Sequence, residues 1–120
     1  MHAMARLFFA LPIALLASAP AHATGGLTCS TAGPRPVEVQ LVIGHTVVSN
    51  VVQARLSDNG RDVAVTVAQA WLEPNELRLD LTDPNAERHE LRLRVKRRGE
   101  TYDGSLWRGG KRRWVRCEES

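Results

Sequence analysis

Hydrophobic and polar residues alternate along four stretches of this chain, "VEVQLVI", "DVAVTVAQAWL", "ELRLDL" and "ELRLRVK". The aligned hydrophobic positions are Val37, Val39, Leu41 and Ile43; Val63, Val65 and Val67; Leu77, Leu79 and Leu81; and Leu91, Leu93 and Val95. Successive side chains of a β-strand point to opposite faces, so a period of two predicts strands with one buried face. Such half-buried strands are typical of antiparallel sheets.

The stretch "SDNGRD" predicts a tight turn between two strands. Asn59-Gly60 is a favoured pair for a two-residue type I′ turn, in which both residues take positive φ. The register that this turn sets is Asp58 with Arg61, Leu56 with Val63, and Ala54 with Val65. Hydrophobic residues then face hydrophobic residues, which supports a hairpin.

The segment before this turn, "TVVSNVVQARL", has two interpretations. Its hydrophobic residues Val47, Val48, Val51, Val52 and Leu56 also fall at helical spacing, which would give a short helix over 46–56. β-branched valines lose side-chain freedom in a helix, and the turn that follows favours extended chain. We therefore predict a strand over residues 50–58 with an irregular start near Thr46.

A second hairpin is predicted around the longer loop "TDPNAERH". Its pairs are Leu81 with Leu91, Leu79 with Leu93 and Leu77 with Val95 on one face, and Asp80 with Arg92, Glu76 with Lys96 and Arg78 with Arg94 on the other. Opposite charges across strands contribute roughly 0.2–1 kcal/mol each. Two such pairs outweigh the repulsion between the two arginines, so this register is favoured.

A third hairpin runs from "ETYDGSLW" through Gly109-Gly110 into "RRWVRC". With a first short strand around Cys29, the total is seven or eight strands joined mostly by short turns. This pattern predicts an all-β fold, a small antiparallel meander barrel or sandwich.

Residues 1–23 have the composition of a secretory signal peptide. A basic start at Arg6 is followed by the uncharged run "LFFALPIALLASA", and Ala21 and Ala23 stand three residues and one residue before a predicted cut. The apolar run is shorter than the roughly 20 residues of a membrane span. We expect cleavage before Thr24, a single domain over 24–120, and a periplasmic or secreted protein with no transmembrane segment.

The only two cysteines, Cys29 and Cys117, lie near the two ends of the predicted domain. An oxidising compartment would allow them to pair, and two buried free thiols are the alternative. A disulfide would make the first and last strands neighbours. Closing so long a loop would stabilise the fold by about 4–5 kcal/mol in the chain-entropy treatment.

Charge is distributed unevenly along the sequence. Residues 88–116 hold eleven Lys and Arg against three acidic residues, whereas residues 24–87 hold four against eight. The whole chain has a net charge of only +3. Nucleic-acid-binding domains are usually strongly basic in total, so nucleic acid is not the expected partner.

Alternation in the last three predicted strands places a set of basic and aromatic side chains outward. These candidate binding residues are Arg92, Arg94, Trp107, Arg112, Trp114 and Arg116. One interpretation is a solvated edge that resists aggregation. The other is a binding face in which indoles stack and guanidinium groups bind phosphate or carboxylate. The expected partner is an anionic glycan or lipid of the cell envelope, or a protein.

The sequence offers little for catalysis. The predicted domain has two histidines, His45 and His89, and they do not have the spacing of metal ligands. No glycine-rich phosphate loop or Cys-x-x-Cys is present. We predict no catalytic residue, metal or cofactor, and expect a non-enzymatic binding protein, with an unrecognised activity as the minor alternative.

An exported β-barrel with one disulfide near its ends resembles the periplasmic inhibitors of C-type lysozymes, and the likeness covers most of residues 24–120. That family carries a Ser-Gly-x-x-Tyr loop that enters the lysozyme cleft. The nearest stretches here, "SDNGRD" and "ETYDGSLW", lack this motif. The resemblance implies a protein-binding inhibitor as an alternative function. Because the motif is absent, it assigns no inhibitor residues in this chain. A structural protein of the envelope is a further alternative.

Overall fold

The computed structural model describes residues 24–45 and 49–120, and that part of the chain forms nine β-strands. They are β1 (Thr24–Thr31), β2 (Val37–His45), β3 (Ser49–Asp58), β4 (Arg61–Val63), β5 (Thr66–Glu73), β6 (Glu76–Thr82), β7 (His89–Arg98), β8 (Thr101–Arg108) and β9 (Lys111–Glu119). The signal peptide predicted for residues 1–23 lies outside the described residues. Among those described, no helix is long and apolar enough to cross a membrane.

All nine strands form one antiparallel sheet in the order β4-β3-β2-β1-β9-β8-β7-β6-β5. The sheet curls into a half-barrel, which confirms the all-β antiparallel prediction. The predicted count of seven or eight strands is wrong. The alternating run after the Asn59-Gly60 turn was predicted as one strand, but it divides into β4 and β5, which pair with different partners at opposite ends of the sheet.

The short connection between β4 and β5 requires this curl. Only Ala64 and Val65 separate the end of β4 from the start of β5, and three residue steps span at most about 11 Å. The two ends of the nine-strand order must therefore lie close together, and β3 and β5 are in fact neighbours. The β3–β4 ladder stops at the pair Leu56 and Val63, so the predicted pairing of Ala54 with Val65 is wrong.

The concave side of the curled sheet holds the hydrophobic core. Three of the four alternating runs have their predicted inward residues at 6% exposure or less: Val37, Val39, Leu41, Ile43, Leu77, Leu79, Leu81, Leu91, Leu93 and Val95. The fourth run is less deeply placed, since Val63, Val65 and Val67 are only partly buried against the core. Every cross-strand pair predicted for the second hairpin is present in the β6–β7 ladder.

The turn at Asn59-Gly60 has the predicted geometry. Its φ angles are 53° at Asn59 and 83° at Gly60, both in the left-handed region, and Asp58 pairs with Arg61. Residues from Ser49 onward are strand, so the helical alternative is wrong for that part of the segment. Residues 46–48 are outside the described residues.

The pairing of β1 with β9 joins the two halves of the sheet. Cys29 lies directly opposite Cys117 in this ladder, and the predicted disulfide links them across 88 residues of sequence. Both side chains are fully buried. The bond therefore covalently fixes the contact between the first and the last strand.

Arg108 connects the same two halves at the end of β8. Its Nε donates to Oδ2 of Asp58 at 2.7 Å, in the β3–β4 hairpin, and its Nη1 donates to the carboxylate of Glu90 at 3.0 Å. The arginine side chain is 20% exposed. A partly buried guanidinium shared between two carboxylates is a stronger contact than a surface ion pair.

Substitution of Gly60 tests the turn. No atom lies within 4 Å of the position that a Cβ would take, so the effect of a side chain is backbone strain alone. We expect Gly60→Val to lower the free energy of unfolding by about 1–3 kcal/mol in urea denaturation. Gly60→Asn is the control, because asparagine tolerates positive φ. Equal stability of the valine variant and wild type would contradict the turn assignment.

Removal of the disulfide tests how much the covalent link between β1 and β9 stabilises the fold. The Cys29→Ala, Cys117→Ala double variant should lose about 4–5 kcal/mol of unfolding free energy, because its unfolded chain regains loop entropy. Urea denaturation of both proteins measures the difference. Non-reducing mass spectrometry of the wild type should show a mass two hydrogens below that of the reduced chain, and freely alkylated thiols would refute the bridge.

Candidate functional site

The six predicted binding residues lie together on the convex side of β7, β8 and β9. Read across these strands, the outward positions form three rows: Arg92, Trp107 and Arg112; then Arg94, Ser105 and Trp114; then Lys96, Asp103 and Arg116. We call the convex side of β5–β9 the outer face. The pairing of β7 with β8 and of β8 with β9 brings the six residues together on this face. Sequence spacing alone does not give the pairing of β7 with β8.

Strand alternation orients these side chains as predicted. In β9, Val115 and Cys117 are fully buried, so the residues between and before them point outward. Trp114 is 55% exposed. Trp107, by contrast, is only partly exposed. The predicted pair of outward tryptophans is therefore one open indole, Trp114, and one partly buried indole, Trp107.

A second open indole comes from β5. The middle row continues from Arg94 to Arg78 in β6 and from Arg78 to Trp71 in β5. We call Trp71, Arg78, Arg94, Ser105 and Trp114 the tryptophan row. Trp71 is 52% exposed. At about 4.8 Å per strand step, the two indoles at the ends of the row stand roughly 19 Å apart.

Trp71 was not among the predicted residues because a β-bulge reverses the alternation of β5. Extending the inward Val63, Val65 and Val67 by twos would place Trp71 inward. The register shifts between Val67 and Gln69, and the extra residue moves the following side chains to the other face. In the sequence, hydrophobic Leu72 is out of phase with Val63, Val65 and Val67, which is the signal of this change. Leu72 lies opposite the buried Leu77.

Asp80 is the central anion of the outer face. Its carboxylate accepts hydrogen bonds from Nε of Arg92 at 3.1 Å and from Nη2 of Arg94 at 3.3 Å. His89 Nε2 lies 3.5 Å away. Burial acts to raise the pKa of Asp80, but the hydrogen bonds from Arg94 and Arg92 outweigh it and hold the pKa below its usual value. Arg92 and Arg94, two of the predicted binding residues, are thus held by one carboxylate.

Arg116 is also paired within the molecule. Its Nε and Nη2 donate to the two carboxylate oxygens of Asp103 at 2.8 and 3.0 Å. This hydrogen bonding lowers the pKa of Asp103. Arg78 donates from Nε to Glu76 at 3.0 Å and lowers the pKa of that carboxyl in the same way. Charge on the outer face is therefore partly neutralised in place.

Cations nevertheless outnumber anions on this surface. In the three rows across β6–β9, six cationic residues (Arg78, Arg92, Arg94, Lys96, Arg112 and Arg116) face outward against Glu76, Asp80 and Asp103. Arg112 donates only to the neutral hydroxyl of Ser105, at 2.9 Å. Within the described residues, neither Arg112 nor Lys96 forms a salt bridge. On the outer face, the charges of these two side chains are therefore not neutralised by a salt bridge with a described residue.

Each open indole has an arginine over its ring. Cζ of Arg78 lies 5.6 Å from the centroid of Trp71, and Cζ of Arg116 lies 5.2 Å from that of Trp114. Such cation–π contacts contribute about 0.5–1 kcal/mol at exposed sites. The arginines restrict the rings, while half of each tryptophan stays exposed.

The remaining residues considered in the sequence lie elsewhere. "SDNGRD" forms the β3–β4 turn and its flanks, and "ETYDGSLW" covers the β7–β8 turn and most of β8. His45 ends β2, and His89 begins β7. The part of the chain that the structure describes contains no group of three His, Cys, Asp or Glu side chains that could hold a metal ion.

No family model, no curated protein and no solved structure matches this chain. What the outer face can do must therefore follow from its own residues. Two flat aromatic surfaces, spare guanidinium and ammonium groups, and a fixed spacing between the indoles suit reversible binding.

Substitution of Asp80 tests the charge cluster. Asp80→Asn should lower unfolding free energy at pH 7 by about 1–3 kcal/mol, because Arg92 and Arg94 lose a charged acceptor. The folded pKa of Asp80 is depressed, so its stabilisation is present above the unfolded pKa near 4 and is lost as pH falls through the folded pKa.

The difference between wild type and Asp80→Asn should therefore shrink between pH 7 and pH 3. Urea denaturation across this range measures it. Asp62→Asn, at an exposed position of β4, is the control and should change little. A difference that stays constant with pH would contradict the proposed role of the carboxylate.

Proposed function

We propose that this protein is a non-enzymatic binding protein of the cell envelope whose outer face binds an extended anionic ligand such as an anionic glycan. The tryptophan row carries the proposal. Trp71 and Trp114 stand at its two ends, both about half exposed, with two arginines and a serine between them. Exposed tryptophans of this kind are characteristic of binding surfaces, where a large apolar ring carries a polar N–H group.

The geometry favours a long ligand over a small one. Sites for small molecules are concave and bury most of the ligand surface, whereas the outer face is the convex side of a curled sheet. A ligand that contacts both indoles must extend for roughly 19 Å, at about 4.8 Å per strand step. A polymer chain meets that requirement.

The charges favour an anionic ligand. Arg112 and Lys96 lie beside the row without salt-bridge partners among the described residues. The paired Arg92 and Arg94 share a single carboxylate, so that cluster keeps a positive charge. Sulfate, phosphate or carboxylate groups spaced along a polymer would neutralise these cations. Attraction of this kind is screened by salt, because the site is open to solvent.

The expected compartment narrows the range of candidate ligands. The predicted signal peptide and the disulfide both point to export, where disulfides persist. Envelope glycans and lipopolysaccharide are the abundant anionic polymers there. The modest net charge of the whole chain supports the same preference over nucleic acid.

Dextran sulfate and uncharged dextran form a matched pair of probes for this proposal, and lipopolysaccharide is the envelope probe. We expect wild type to bind dextran sulfate and lipopolysaccharide but not dextran, with a Kd that rises with salt. Trp71→Ala and Trp114→Ala should each weaken binding at every salt concentration. Arg112→Glu should weaken it most at low salt.

Arg61→Glu provides the charge-matched control, because Arg61 is exposed in β4, which is not part of the outer face. It should bind like wild type. Circular dichroism checks that each variant is folded. If no anionic polymer binds, or if Arg61→Glu weakens binding as much as Arg112→Glu does, the outer face is a solvated surface and the proposal is wrong.

A further inference from the structure

A second candidate site lies at one end of the curled sheet, away from the outer face. It is an open cavity of about 570 Å³ between the ends of β1 and β2, the β5–β6 turn, the β7–β8 turn and the end of β9. Ligand pockets in proteins commonly measure about 300–1,000 Å³ and often occupy the mouths of β-barrels. We call this space the end cavity.

The wall of the end cavity is apolar. Leu27 and Ile43 come from one half of the sheet, and Leu72 and Tyr102 come from the other. Leu27, Ile43 and Tyr102 are between 6% and 9% exposed, and Leu72 is half-buried. Because these residues are held by paired strands, the apolar surface is formed before any ligand arrives.

The rim of the end cavity is acidic. Among the described residues that line it, Glu73, Glu100 and Glu119 are acidic and Arg97 alone is basic. Glu73 lies opposite Glu76 in the β5–β6 ladder, so its side chain is directed to the outer face, whereas Glu119 lies opposite the inward Leu27. Nε of Arg97 donates to the carbonyl of Gly99 at 3.0 Å, and its Cζ lies 5.7 Å from the Tyr102 ring centroid. The salt bridges of the described residues include none of the three glutamates. Glu100 and Glu119 are thus two acidic lining residues without a salt bridge among the described residues, against one guanidinium that lies over the Tyr102 ring.

The acidic rim contrasts with the basic composition of the sequence around Glu100. Residues 88–116 carry a net charge of +8, yet one of their three acidic residues, Glu100, is on this rim. An anionic ligand at the same place would meet the carboxylates of Glu100 and Glu119. Charge complementarity therefore selects a cation, and the apolar wall selects one with a hydrophobic body.

We propose that the end cavity binds a small amphipathic cation, a hydrophobic amine whose apolar part lies on Leu27, Ile43, Leu72 and Tyr102. Its ammonium group faces the carboxylates of Glu100 and Glu119. This site is independent of the outer face, since Tyr102 points inward from β8 while Trp107 and Asp103 point outward. It takes a ligand of the opposite charge.

Octylamine, octanol and octanoate test the proposal, because they share a hydrocarbon chain and differ in charge at pH 7. The full chain, produced with its own leading segment in an exporting host, is titrated with each compound by calorimetry. We expect the order octylamine, octanol, octanoate from tightest to weakest. NMR shifts of the Leu27, Ile43 and Leu72 methyl groups on octylamine binding should locate the ligand in the cavity.

Glu100→Gln and Glu119→Gln should each reduce the ratio of octylamine to octanol affinity by about 1.5- to 5-fold, the effect of one exposed charge pair. Glu118→Gln is the matched control, because Glu118 is the neighbouring exposed residue of β9 but does not line the cavity. It should leave the ratio unchanged.

Two results would overturn the inference. One is octanoate binding as tightly as octylamine, which would remove the role of the acidic rim. The other is methyl shifts confined to residues outside the end cavity. Either result leaves the polymer-binding proposal standing, since that proposal concerns different residues and anionic probes.

Discussion

The pairing of the first strand with the last is the contact on which the rest of the structure depends. β1 and β9 join a half made of β1–β4 to a half made of β5–β9, and the buried disulfide between Cys29 and Cys117 lies within that pairing. At the other extreme of the strand order, Ala64 and Val65 are all that separates β4 from β5. A sheet restrained at both places must curl, so that its hydrophobic side is enclosed.

The curl gives the molecule two surfaces of different character. The convex side of β5–β9 presents Trp71 and Trp114 among an excess of cations. The open end of the concave side combines an apolar wall with the carboxylates of Glu100 and Glu119. Each set comes from strands far apart in sequence. Opposite charges on neighbouring surfaces of one small domain partly cancel in the net charge of the chain.

Internal ion pairs limit how much of the basic surface is available for a ligand. Asp80 holds Arg92 and Arg94, and Asp103 holds Arg116. These pairs orient long side chains that would otherwise lose conformational freedom on binding. They also leave Arg112 as the predicted cation with no carboxylate partner among the described residues. Binding that rests on few free cations and two indoles should be moderate in strength and sensitive to salt.

The sequence by itself determined most of the strands, the register of the β6–β7 hairpin and the inward residues of β2, β6 and β7, because alternation and turn type are local properties. The pairing of Asp80 with Arg92 and the turn at Asn59-Gly60 followed from these local rules. Only the tertiary structure decided the division of residues 61–73 between two ends of the sheet, the outward position of Trp71 and the end cavity. The physical reason is that a bulge, a curl and a cavity depend on which strands meet across the sheet, and a period of two carries no information about that choice.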